Sequence, residues 1–139
     1  MARGARWRQV FRTFCFVEDA VDCVCRILEK PDKSIGHAFN VGNPDNNIQI
    51  SKLANLMIDL YSNLTGKPKG TTREVSGVEY YGKGYEDSDL RIPSMRLVKQ
   101  QLDWEPKTSL RDAMEMTMKV FIENYADKLA AKRVLSDES

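Results

Sequence analysis

The chain has 139 residues, of which 42% are apolar and 29% charged, values typical of one globular domain. Its formal net charge of +1 creates no overall field toward nucleic acid or a charged membrane, and no apolar run reaches the roughly 18 residues of a membrane-spanning helix. A single histidine and three cysteines without C-x-x-C spacing cannot form a zinc site. We therefore expect a cytoplasmic protein with reduced thiols, no metal, no nucleic-acid partner and no membrane partner.

Residues 1–11 form an irregular basic start, which contains Arg3, Arg6 and Arg8. With Trp7 among them, these arginines form a weak nucleic-acid-binding pattern. An arginine-rich stretch with no acid before Glu18 also fits a transit peptide. The simpler interpretation is that the sequence begins at an arbitrary point of a longer protein.

The spacing of apolar residues predicts two amphipathic helices in the first half of the chain. Residues 18–30 form the first, which Pro31 stops. The second covers 52–64, with Ser51 as its N-cap and Gly66 just beyond its end. The apolar face predicted for the first helix comprises Ala20, Val21, Val24, Ile27 and Leu28.

Between these helices, two short strands are predicted at 37–41 (HAFNV) and 48–50, separated by turn residues that begin at Gly42. Such short strands cannot form a stable sheet alone, because each leaves backbone groups unpaired. They are typical of edge pieces of a sheet whose other strands lie elsewhere. If so, the helix faces of 18–30 and 52–64 that would cover that sheet should form an exposed apolar patch.

The second half of the sequence predicts two further helices. Ser94 is expected to cap a short one that ends before Trp104, and Ser109 with Asp112 has the spacing of a capping box for the last. The polar tail, 129–139, should fray. The residues expected to face inward from the last helix are Leu110, Ala113, Met114, Thr117, Phe121 and Tyr125.

The segment 67–93 has little periodicity, and a loop of this length is usually functional or disordered. Its last part, 80–94, combines tyrosines, glycines and acids with Arg91. Glycines allow a ligand to approach the backbone, and a guanidinium offers a forked donor to a carboxylate or phosphate. Composition favours equally a surface loop in which Arg91 simply pairs with Asp87 or Asp89.

A second candidate is Arg12, which precedes a predicted strand-to-helix junction and could bind a diphosphate. The alternative is that Arg12 is an ordinary solvated arginine. Considered by itself, the residue favours this alternative. No glycine-rich dinucleotide loop, no phosphate-binding P-loop and no Tyr-x-x-x-Lys pair occurs in the sequence.

Three blocks together resemble one family: RTF with VEDA within 12–20, FNVGNP at 39–44, and YYGKGYEDSDLRIPSM continuing to LDWEPKTSL at 80–110. They are similar to the C-terminal part of extended short-chain dehydrogenases that act on UDP-sugars, of the UDP-glucuronic acid decarboxylase and UDP-apiose/UDP-xylose synthase type. The resemblance implies an α/β fold, here the helix-rich C-terminal portion of a Rossmann-type enzyme. It places a UDP-sugar-binding domain at 12–128.

By the same resemblance, Arg91 is the catalytic residue that returns a proton to the sugar, while Tyr85 and Arg12 bind the UDP-sugar. The parent enzyme is an NAD-dependent lyase of nucleotide-sugar metabolism, and a homo-oligomer or a pair with a full-length homologue is expected. This chain should bind no NAD and be inactive alone, because the NAD-binding motifs are missing. The alternative is a non-catalytic nucleotide-sugar-binding or decoy subunit that regulates a full-length homologue.

Overall fold

The computed structural model describes residues 11–73 and 91–136, with side chains described as far as Tyr125. Tyr85 and most of the loop 80–94 therefore lie outside the described residues. In chain order the elements are β1 (Phe11–Thr13), α1 (Val17–Glu29), α2 (Pro31–Ser34), a 3-10 turn (Pro44–Asn46), β2 (Asn47–Gln49), α3 (Ile50–Thr65), α4 (Arg96–Leu102) and α5 (Leu110–Ser136).

Strands β1 and β2 form an antiparallel pair in which Arg12 lies opposite Ile48 and Thr13 opposite Asn47. β2 lies one residue earlier than the predicted strand at 48–50. The predicted strand at 37–41 is wrong: within the described ranges this segment joins no sheet. Its side-chain pattern suits a strand, but a strand exists only where a neighbour pairs with its backbone.

The core joins α1 to α4. Cys23 from α1 is fully buried against Val98, Leu102 and Trp104, and Phe39 packs on this cluster. Ser94 does not cap α4, which begins at Arg96 with Met95 as its N-cap and no side-chain cap bond, so that prediction is wrong.

The C-terminus of α4 is fastened to α1. Arg26 donates from its guanidinium to Asp103 O at 2.6 Å, and Lys30 donates from Nζ to Leu102 O at 3.0 Å. Asp103 has a left-handed backbone, with φ of 53°, which ends the helix. Cations therefore satisfy the free carbonyls at this helix end.

Helix α1 is covered on only part of its apolar side. Cys23 faces the core with Ile27 packed beside it, whereas Val21 and Leu28 are 55% and 74% exposed. The residues predicted to form one apolar face do share one side of the helix, but only its edge next to Cys23 is covered. Val17 and Val24 extend the exposed stripe along the same helix. The extent of the patch predicted across 18–30 and 52–64 stays a prediction.

Helix α3 packs against α5 and buries Leu60. The prediction that Ser51 is its N-cap is wrong. The helix begins at Ile50, two residues before the predicted start, and its N-cap is Gln49, which makes no side-chain cap bond. Its end agrees with the prediction: Gly66 has φ of 68° and donates its backbone N–H to Ser62 O.

The N-cap half of the capping box predicted for α5 is confirmed. Ser109 Oγ accepts the backbone N–H of Asp112 at 3.2 Å and donates to Asp112 Oδ2 at 2.6 Å. Phe121 and Tyr125 were expected inside, but they are 57% and 42% exposed, with their rings stacked 5.3 Å apart. α5 has 27 residues and α3 has 16, so α3 cannot cover the whole length of α5.

Candidate functional site

The first site residue lies on β1. Arg12 is half-buried, and its guanidinium donates to Phe11 O at 2.7 Å. Thr13 follows it in the strand, and successive strand residues point to opposite faces. The side chains of Arg12 and Thr13 therefore leave the backbone on opposite sides of the β1–β2 ribbon.

Thr13 connects β1 to Arg91, a residue 78 positions further along the chain. Its hydroxyl lies 2.7 Å from Arg91 O and 3.3 Å from Asn47 Oδ1. A hydroxyl carries one proton, so the shorter contact is the bond that it donates. The backbone of Arg91 is therefore held against Thr13, the residue that follows Arg12 in the chain.

Two residues of the 39–44 block hold the chain just after Arg91. Asn40 donates from Nδ2 to Ser94 O at 3.3 Å. Gly42 is buried beside Pro93, and a Cβ at Gly42 would lie 2.6 Å from Pro93 Cγ. Only a residue without a side chain allows this close approach.

The three sequence blocks also meet at a buried polar cluster. Asp19 is 9% exposed, and its Oδ2 accepts the backbone N–H groups of Lys107 at 3.2 Å and Thr108 at 3.0 Å. The carbonyl of Thr108 accepts from Asn43 and Asn46, each at 3.0 Å. This polar clasp ties the N-terminus of α1 and the turn after 39–44 to the segment before α5.

The described structure thus brings the segments of Arg12 and Arg91 together and leaves the role of each side chain a prediction. The Arg91 side chain is exposed, and no ion pair joins it to another described residue. Its predicted alternative partners, Asp87 and Asp89, lie outside the described residues. The sequence predicts no site role for Thr13, Asn40 or Asp19. Each lies within one of the three blocks that carry the family resemblance, and that membership is the signal for it.

The two described cysteines near this region do not supply a reactive thiolate. Burial raises the pKa of Cys15, and the neighbouring Asp19 carboxylate raises it further. Burial is also the main reason that the pKa of Cys23 is raised, with a smaller contribution from Asp22. Both thiols are therefore neutral near pH 7, which disfavours cysteine-based nucleophilic chemistry here.

An open cavity of about 710 Å³ lies elsewhere, between α3 and the first half of α5. It includes one cation, Lys67, whose Nζ lies 5.8 Å from the Tyr61 ring centroid. Neither Arg12 nor Arg91 lines it, and a single cation is a poor match for a diphosphate. The lining residues are Met57, Ile58, Tyr61, Lys67, Pro68, Gly70 and Met118.

Two further properties concern the described ranges, 11–73 and 91–136. None of their helices has both the length and the apolar character needed to cross a bilayer. Nor do their histidine, cysteine and acidic side chains form a group of three or more that could hold a metal ion.

The fold is similar to that of a solved protein. The crystal structure of the PbgP3 protein from Burkholderia pseudomallei matches with a TM-score of 0.63 and 23% sequence identity, over 88% of this chain and 33% of that one. The likeness confirms the predicted α/β fold, of which this chain forms a helix-rich portion. No protein-family model matches the chain.

Among curated proteins, the chain is 42% identical to UDP-D-apiose/UDP-D-xylose synthase 2 of Arabidopsis thaliana over 120 residues, and 42% identical to synthase 1 over 127. It is 41% identical to the UDP-D-apiose/UDP-D-xylose synthase of Oryza sativa subsp. japonica over 130 residues. These matches include 85%, 90% and 92% of this chain. The resemblance to UDP-sugar enzymes is thereby confirmed, while the chain spans about a third (31–32%) of these relatives' length.

Proposed function

We propose that this chain is the UDP-sugar-binding portion of a UDP-glucuronate decarboxylase-type enzyme, similar to UDP-apiose/UDP-xylose synthase. The identity of 41–42% to UDP-apiose/UDP-xylose synthases over nearly the whole chain carries the proposal. The Thr13–Arg91 bond supports it, because it joins two segments that the resemblance assigns to one ligand.

Each arginine has a distinct task in this proposal. Arg12 binds the diphosphate, and Arg91 binds the sugar carboxylate through a forked pair of hydrogen bonds. In a complete enzyme that first oxidises the sugar ring, negative charge would develop on the sugar carbons as carbon dioxide leaves, and a fixed guanidinium there would stabilise that charge. In that enzyme Arg91 would act on the reacting carbons, whereas Arg12 would contribute binding alone.

NAD is the cofactor that the resemblance implies for the parent enzyme, but the residues of this chain do not fit it. A dinucleotide diphosphate is commonly bound where a glycine-rich turn opens a helix. In the described part, α1 begins after Phe16 and α3 after Gln49, with no glycine at either start. We therefore propose that this chain binds the nucleotide-sugar without NAD and has no turnover by itself.

Calorimetric titration of the chain with UDP and with UDP-glucuronate, each with and without NAD, tests the proposal. We expect binding of both ligands with no effect of NAD. Arg12→Ala should weaken both ligands similarly, and Arg91→Ala should weaken UDP-glucuronate more than UDP. Arg96→Ala removes an exposed arginine from α4 and is the matched control. A chain that binds neither ligand would refute the proposal.

A second candidate is a non-catalytic subunit that pairs with a full-length homologue. The exposed apolar stripe of α1, which includes Val21 and Leu28, favours it, because such a stripe is suited to a protein partner. Mixing the chain with a full-length UDP-apiose/UDP-xylose synthase and measuring the mass by light scattering would test it. Val21→Asp should abolish any complex, while Asp22→Asn, a change at an exposed neighbour, should retain it.

A further inference from the structure

The chain around Arg91 is fixed by residues that have no assigned role. Arg91 itself lies on irregular backbone, outside any helix or strand. An arginine on such a segment must lose backbone freedom when its guanidinium is placed on a ligand. That ordering opposes binding by about 1–2 kcal/mol for each residue, or about 5- to 30-fold in affinity. A segment fixed before the ligand arrives avoids the loss.

The fixing bond at Arg91 comes from Thr13. Its hydroxyl donates to Arg91 O at 2.7 Å, and Thr13 is itself held in the β1–β2 ladder opposite Asn47. The bond involves the Arg91 carbonyl and not its guanidinium, and the Arg91 side chain is exposed. Asn40 and Gly42 fix the next residues, through Ser94 O and Pro93.

We infer that Thr13 is a positioning residue, which holds the backbone of Arg91 so that its guanidinium meets the carboxylate of a UDP-linked sugar acid. The inference rests on the proposed function and names a residue that acts through Arg91. Thr13 does not need to touch the ligand. Its hydroxyl, rather than its methyl group, supplies the effect.

The experiment compares Thr13→Val, which keeps the shape and removes the hydroxyl, with Thr13→Ser, which keeps the hydroxyl. The Kd values of UDP and UDP-glucuronate are measured for the intact 139-residue chain. In Thr13→Val, the preference for UDP-glucuronate over UDP should fall by about 5- to 30-fold, with a much smaller change in the Kd of UDP. Thr13→Ser should retain the preference. Thr13→Val combined with Arg91→Ala should show the same preference as Arg91→Ala alone.

Equal weakening of both ligands by Thr13→Val would overturn the inference, because a purely structural role affects both. An unchanged preference in Thr13→Val, or a further loss in the double variant, would also overturn it. In each of these cases the wild-type preference remains, so the proposed function stands.

The mobility of this backbone provides a readout without ligand, measured as 15N relaxation order parameters of the Ile92 and Ser94 N–H groups. Thr13→Val should lower both order parameters relative to the core around Leu102, and Thr13→Ser should not. Unchanged order parameters in Thr13→Val would overturn the inference whatever the ligands do. A wild-type chain that binds neither ligand refutes the proposed function, and the order parameters then decide separately whether Thr13 holds this segment.

Discussion

Replacing Asp19 by alanine should break the hydrogen bonds of the polar clasp between α1 and the segment before α5. The Asp19 carboxylate is 9% exposed and accepts two backbone N–H groups, from Lys107 and Thr108. A buried donor without a partner costs about 1–3 kcal/mol, so two lost partners should lower the free energy of unfolding by about 3 kcal/mol once some water enters. That is a large share of the roughly 5–15 kcal/mol that stabilises a typical domain.

Urea denaturation followed by circular dichroism measures this loss. With a slope of about 2 kcal/mol per molar urea, the midpoint should fall by about 1.5 M. Asp19→Asn keeps one oxygen acceptor and should lose about half as much stability. Glu18→Ala is the matched control: it removes an exposed acid from the same helix turn and should lose only about 0.3–1 kcal/mol of helix-dipole stabilisation.

Two results would refute this reasoning. One is a loss from Asp19→Ala no larger than that from Glu18→Ala, which would mean that the helix dipole accounts for the whole effect. The other is a double variant, Asp19→Ala with Asn43→Ala, whose loss in the free energy of unfolding equals the sum of the two single losses. Asn43 donates to Thr108 O, and residues that share one partner should show coupling of at least about 0.5 kcal/mol.

Three further predictions concern stability. Ser109→Ala removes the cap acceptor for Asp112 N and should lower the free energy of unfolding of the chain by about 0.5–2 kcal/mol in urea titrations, whereas Ser109→Asp should retain most of it. Trp104→Ala empties a core position that is 1% exposed and should lower the free energy of unfolding, measured in the same titrations, by about 3–5 kcal/mol. A loss below about 1 kcal/mol would show that the core does not depend on Trp104. The pKa values of Cys15 and Cys23 are raised in the folded chain, so just above the ordinary value of 9.0 only the thiols of the unfolded chain ionise. The contribution of these thiols to the free energy of unfolding is therefore constant below pH 9 and declines above it. Replacing both cysteines by alanine should flatten that decline in thermal melts between pH 8 and 10.

The sequence by itself determined the four longer helices and several of their ends. Apolar spacing located α1 and α3, and local residue chemistry located the ends at Gly66 and Ser109, because both are decided by bonds within a few residues. The three quoted blocks also indicated the family resemblance. Caps at Ser51 and Ser94 were predicted by the same local rule and were wrong. At Ser94, a tertiary contact with Asn40 holds the backbone, and the helix begins two residues later.

Only the tertiary structure decided which residues meet. Nothing in the local pattern around Thr13 indicates that its hydroxyl bonds to Arg91 O, since the two residues are 78 positions apart. The same holds for Asp19 and the backbone of Thr108. Periodicity identifies the apolar residues of α1 but not which of them a partner covers, so Cys23 is buried while Leu28 is exposed. Local spacing fixes an element, whereas burial and hydrogen-bond partners depend on which distant segments the fold brings alongside it.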